Sequence, residues 1–163
     1  MSHIDRRALI AHLRTNFKIN WHGHHGIPHW ARVRVNGLML AKATGANTHV
    51  VELFAFFHDS CRINEYTDDG HGQRGALLAT KLQGRFFEAT EHEMLLLTQA
   101  CSKHSDGLSK GDATVQTCWD ADRLDLGRVG ITPDPKYLCT FAAKDRSNLS
   151  AAHRRALSWT SRE

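Results

Sequence analysis

"THVVELFAFFHDSCR", residues 48–62, carries the reading of the whole chain. Val50 to Phe57 is apolar except for Glu52, the composition of a segment buried on every side. The run then ends in two polar side chains suited to a metal, His58 and Asp59. Desolvating an imidazole and a carboxylate is expensive unless each is paired or bound to an ion. The upstream "GANT" makes a turn, with Asn47 or Thr48 as N-cap. The spacing therefore predicts a buried helix from Thr48 to about Arg62, with His58 and Asp59 held at its end.

Outward from this stretch the periodic segments are helical rather than alternating, and only three prolines interrupt them. A first helix is expected over Asp5–Phe17, followed by a Gly/His-rich loop, "WHGHHGIP". A second starts near Pro28, a residue suited to a first helical turn, and runs to about Thr44. After the polar loop "NEYTDDG" come helices over His71–Leu82 and Glu91–Lys103. The loop "HSDGLSKGD" precedes a sixth helix over Ala113–Leu126. "GITPDP" breaks that helix, and shorter ones are expected near Lys136–Lys144 and Ser150–Thr160. No adequate strand run, repeat or linker occurs, so the expected fold is all-α, one compact helical bundle forming a single domain over 1–163.

The bulk numbers agree with that reading. The chain has 163 residues, of which 41% are hydrophobic and 23% charged, enough for one core and too few for two comfortable ones. No run of about 18 apolar residues exists, so no membrane-spanning helix is expected. The start, Met-Ser-His-Ile-Asp-Arg-Arg, lacks the apolar region of a signal peptide, which points to the cytoplasm. Four cysteines form no CxxC pair and are expected to be reduced. A formal charge of +4 without a basic block suits a small anionic partner and is too mild to argue for nucleic acid. Oligomeric state stays open; Trp159 packs either internally or across an interface.

Twelve histidines are the more informative count. On the second helix His29, Val33, Asn36 and Leu40 share one face. On the fourth, His71, Gly75, Leu78 and Leu82 do; on the fifth, Leu97, Cys101 and His104; on the sixth, Val115, Trp119, Asp122 and Leu126. Any one core histidine is ordinarily a hydrogen-bonded structural residue. Five helices each aiming a His or Asp from the core-facing stripe are better explained together, by convergence on metal. Imidazole and carboxylate without thiolate favour a divalent transition ion such as Mn, Fe, Co, Ni or Zn. In "WDADRLD", Asp122 lies on the apolar stripe. Asp125 is about 60° away and suits a supporting role behind a ligand, and Asp120 is about 200° away, placed to cap, pair or face solvent.

The order His29, His58-Asp59, Asp122 resembles the H…HD…D pattern of the HD superfamily of metal-dependent phosphohydrolases. "HWARV", "FAFFHDSCR" and "DADRLD" carry the likeness, which runs from about Trp21 to Gly130 and is similar to a bacterial group of uncharacterised HD-domain proteins. The resemblance implies an all-α domain holding metal through His29, His58, Asp59 and Asp122. His71 in "HGQRGA" and His104 in "CSKHSDG" stand where two-metal members carry two more histidines, which implies one or two ions. It further implies hydrolysis of a phosphoester or phosphoanhydride of a nucleotide-like small molecule. Asp59, Arg32 and Arg62 are the expected catalytic residues, and Arg32, Arg62 and Arg74 the contacts to substrate phosphate. Arg32 and Arg74 each follow a ligand by three positions and so share its helix face. Arg123 is as readily a structural arginine. His25 and Lys110 lie in loops within reach of a substrate, His22 and His24 on the rim. One of Glu65, Asp68 and Asp69 is a candidate proton donor. The rival readings are an HD-type di-iron oxygenase and a helical module that binds a nucleotide or partner without catalysis.

Overall fold

Asn47 accepts hydrogen bonds from the backbone N–H of His49 and Val50, and this cap starts the buried helix at Thr48. Such caps are worth about 1 kcal/mol each. The protein, described as a computed structural model over residues 3–160, is all-α. In chain order its helices are α1 (Arg6–Asn16), α2 (Ile27–Thr44), α3 (Thr48–Phe57), α4 (His71–Leu82), α5 (Glu91–Lys103), α6 (Ala113–Arg123), α7 (Phe141–Lys144) and α8 (Arg146–Thr160). No strand occurs among the described residues, although single β-bridges tie Ile4 and Gln83 to Phe87. Met1, Ser2 and residues 161–163 of the expected 1–163 domain lie outside the described residues.

Every residue of α3 from Val50 to Phe57 is buried, because α2, α4, α5 and α6 surround it. Phe54, Phe57, Trp30, Leu97 and Trp119 form the centre of the main apolar cluster, and burial of each such side chain contributes roughly 1.5–3 kcal/mol. A smaller cluster of Leu40, Leu124, Leu138, Ala143 and Ala152 seats α7 and α8 against α2. The exception in α3, Glu52, is buried yet ionised. Arg6 of α1 and Arg34 of α2 each reach it at 2.6 Å, so one carboxylate joins three helices. Burial alone would raise its pKa, but the two guanidinium groups hold it below the ordinary value.

Two helices are shorter than their periodicity suggests. α3 ends at Phe57, not near Arg62. His58 is its C-cap, and the chain tightens into turns in which the N–H of Ser60 donates to Phe57 O and that of Arg62 to Asp59 O. Ser60 Oγ donates to Phe57 O as well, at 2.9 Å. α6 ends at Arg123 rather than Leu126. Asp125 N–H bonds the carbonyl three residues back, and a 3-10 turn follows over Leu126–Val129. Towards the C-terminus a 3-10 turn over Pro135–Tyr137, then α7 and a longer α8 replace the two short helices expected there. No helix among the described residues is long and apolar enough to cross a membrane. All four cysteines are free.

α4 lies close against the ends of α3 and α5 because two glycines permit it. A Cβ on Gly75 would stand 2.3 Å from Phe57 O, and one on Gly72 2.3 Å from Cys101 O. Both separations are well inside contact distance, so any side chain would push α4 away from the turn that carries His58 and Asp59.

Candidate metal centre

The turn after α3 projects Asp59 into the bundle, where its carboxylate is divided between two pairs of histidines. Oδ2 lies 3.5 Å from Nε2 of His29 and 3.5 Å from Nε2 of His58. Oδ1 lies 3.2 Å from Nε2 of His71 and 3.6 Å from Nε2 of His104. The two pairs are themselves close, His29 and His58 at 3.0 Å and His71 and His104 at 2.9 Å between Nε2 atoms. Asp122 borders the first pair, with Oδ1 at 3.2 Å from His29 and 3.7 Å from His58. Two sets of side chains could each hold a metal ion, His29/His58/Asp59 and Asp59/His71/His104, and Asp59 belongs to both. All five of these residues are buried.

The donor chemistry fits a cation. Nδ1 of His58, His71 and His104 each faces a backbone carbonyl, of Phe54, Asp68 and Cys101 respectively. A carbonyl only accepts, so each Nδ1 is the donor and Nε2 is the ring nitrogen left facing inward. Lone pairs facing each other at about 3 Å repel unless a cation or a proton lies between them. Donors bound at about 2.1 Å to a common ion stand roughly 3.0–3.4 Å apart, which matches the paired nitrogens.

Burial and neighbouring charges pull on these groups in opposite directions. Burial and Arg128 push the pKa of His29 down, yet its contacts with Asp122, Asp125 and Asp59 outweigh them and lift it to about 9. Burial would also lower His104, but Asp59 and Asp122 leave it raised. His58 shows the opposite outcome: burial carries it down to about 3 against the pull of Asp59 and Asp122. Burial would raise Asp59 and Asp122 in turn, and the surrounding imidazoles hold both below the carboxylate range.

Behind the donors stands a supporting layer. Asp125 Oδ2 meets His29 Nδ1 at 2.6 Å and fixes that ring. Arg32 then clamps Asp125 with Nε at 2.7 Å and Nη2 at 3.0 Å, and its guanidinium stacks on Trp159 at 4.8 Å. Arg128 donates to Asp125 O and to His24 O. Asp120 accepts from the backbone N–H of Cys139 and Thr140 and from the Thr140 hydroxyl, so it is buried and secures the approach to α7.

Of the arginines assigned to phosphate, Arg62 lies beside the cluster, donating from Nε to Asp59 Oδ1 at 3.1 Å. The other two have different partners. Arg32 is turned onto Asp125, and Arg74 is held by Asp68 and by the carbonyl of Cys61. Sharing a helix face with a ligand brought neither to the cluster, because a carboxylate within reach captures a long guanidinium side chain. Arg123 is structural, donating to the carbonyls of Tyr137 and Leu108. His22, His24 and Lys110 are exposed. Asp68 is spent on Arg74 and on the Ile63 N–H, and Asp69 is exposed. Trp159 packs internally, against Arg32 and His24. One pairing has no signature in the sequence. His25 Nδ1 meets Glu65 Oε2 at 2.5 Å across 40 residues, joining the loop before α2 to the loop after Asp59.

No family model matches the chain, and neither does any curated protein at a significant level. Among solved structures, a crystal structure from an uncultured Thermotogales bacterium, described as that of a predicted HD superfamily hydrolase, matches with a TM-score of 0.71 and 21% identity. The match covers 98% of this chain and 91% of that one. The chain has the HD-domain fold, with its buried His and Asp side chains gathered where that all-α bundle brings four helix ends and the turn after α3 together.

Proposed function

We propose that the protein is a hydrolase of phosphoesters or phosphoanhydrides of small, nucleotide-like molecules, dependent on two divalent transition-metal ions. The observation that supports this most is the division of the Asp59 carboxylate between two histidine pairs. That is the arrangement a ligand shared by two ions requires. In this reading His29, His58 and Asp122 hold one ion, His71 and His104 the other, and Asp59 both. Mn, Fe, Co, Ni and Zn suit such donors. Divalent ions supply Lewis acidity, making water nucleophilic at neutral pH and taking up charge that grows on phosphoryl oxygens.

The chain's own residues do the rest. The carbonyls of Phe54, Asp68 and Cys101 and the Asp125 carboxylate fix the ring orientations in advance, so little reorganisation is left for the reaction. Phe54, stacked on the His58 ring at 4.9 Å, forms a dry floor that strengthens each charge interaction. Arg62, anchored on Asp59 and on Tyr66 O, is the cation available to a substrate phosphate.

Protein stripped with chelator and reloaded with Mn or Ni provides the test, assayed on p-nitrophenyl phosphate mono- and diesters and then on a nucleotide panel for phosphate release. Turnover that requires added metal and disappears in Asp59→Asn is expected. Metal bound without turnover on any ester would contradict the reading. Oxygen consumption by the anaerobically iron-loaded protein would replace it with an oxygenase.

A further inference from the structure

We propose that the outer face of α4 and α5 joins two copies of this chain into a twofold dimer, an inference independent of the hydrolase reading. Isolated apolar side chains on a surface are ordinary. Leu77 and Leu95 differ from these, because they are 63% and 62% exposed and line one groove of about 530 Å³ between the two helices. Ala76, Thr98 and Ser102 line it as well, and it continues past Thr80 to Met94 near the start of α5. None of the His and Asp side chains of the metal centre lines it, so it is a separate surface.

The charges on this face select a second copy as the occupant. α4 and α5 run antiparallel, with Gly72 against Cys101 at one end and Gln83 bonded to Ala89 O at the other. Leu77 therefore lies near the middle of the face, at the level of Leu96 and Leu97. Glu91 and Lys103, both exposed, mark the two ends of α5, about 18 Å apart along the helix. Lys103 is only loosely paired, to Asp106 at 3.6 Å. A twofold axis that lies in the interface and crosses the hairpin at right angles through its midpoint sets α4 antiparallel on α4 and α5 antiparallel on α5. It puts Leu77 against its own copy, Leu95 beside Gln99, and Glu91 of each copy against Lys103 of the other. An axis parallel to the helices stacks like ends on like ends and makes neither ion pair. Unlike charges at opposite ends of one patch fix the register of a self-complementary interface in this way.

The size of the face sets the strength of the dimer. Two helices about 18 Å long and about 10 Å wide side by side cover less than the ~800 Å² per partner of a standard interface. Gln73, Gln99 and Ser102 add polar surface to the apolar centre. The dimer is therefore reversible, with a dissociation constant in the micromolar range or weaker.

Sedimentation velocity of the full-length protein, from about 1 μM to about 1 mM, provides the test. Reversible, concentration-dependent conversion to twice the monomer mass is expected. Leu77→Ala and Leu95→Ala should each weaken the dimer about tenfold or more. Both should keep the Tm of the parent at low concentration, because these side chains are exposed in the single copy. Glu91→Lys and Lys103→Glu should each weaken association, and the two together should restore it, a rescue that a variant damaged in folding would not show. A protein that stays monomeric at every concentration would overturn the proposal and leave the groove to a partner of another kind. A dimer that Leu77→Ala and Leu95→Ala leave intact, assembly beyond two copies, or a double swap that restores nothing would overturn it as well.

Discussion

Asp59 makes more of the candidate centre than any other side chain, since one oxygen faces His29 and His58 and the other faces His71 and His104. Asp59→Asn should therefore lose both ions, whereas His104→Ala should lose one; elemental analysis after dialysis reads the difference. Asp125 acts one layer back. Asp125→Asn is expected to weaken metal binding about 10- to 100-fold while leaving the fold intact, measured by competition with a chromophoric chelator. The pH dependence follows from His29. Its folded pKa is lifted to about 9, so below that pH an incoming ion must displace a proton. Apparent affinity should rise with pH, about tenfold per unit for each proton released, and level off above about 9. Calorimetry in buffers of different ionisation enthalpy counts the protons.

At the scale of the element, the approach of α4 is the step that completes the second half of the centre. Gly75→Ala places a methyl against Phe57 O, and Gly72→Ala places one against Cys101 O and near His104. Each should destabilise the protein by about 1–3 kcal/mol in urea unfolding, and Gly72→Ala should weaken the ion at His71 and His104 more than its neighbour. Helical periodicity made α4 and α5 legible to the residue, because their apolar stripes and ends coincide. It also placed His29, His71, His104 and Asp122 on core-facing stripes, and the structure brings His29 to 3.2 Å from Asp122 and His71 to 2.9 Å from His104. Periodicity failed where helices stop. The apolar run through Phe57 says nothing of the hydrogen bonds that Ser60 and Arg62 make to close the turn. The sharp bend after Arg123, which carries Asp125 inward to His29, departs from helical extrapolation in the same way. The partners of Arg32, Arg74 and His25 were hidden for another reason. Spacing fixes which face a side chain leaves from, but not which carboxylate from a distant loop is waiting there.

For the whole molecule, the six side chains of the centre come from α2, the turn after α3, α4, the end of α5 and α6, so an ion bound there ties together most of the bundle. Binding to the folded state alone should raise stability by about 2.7 kcal/mol at a free-ion concentration 100 times the Kd. Chelator treatment should accordingly lower Tm, and readdition of Mn or Ni should restore it in a concentration-dependent way. Differential scanning calorimetry provides the comparison, with Asp59→Asn as the variant that should no longer respond. The most direct test of the central claim is a crystal structure of the metal-loaded protein with anomalous scattering recorded at the absorption edge of the metal. Two peaks flanking the Asp59 carboxylate, one among His29, His58 and Asp122 and one between His71 and His104, are the predicted result. Crystals of protein shown to contain metal, with no peak at Asp59, would contradict it.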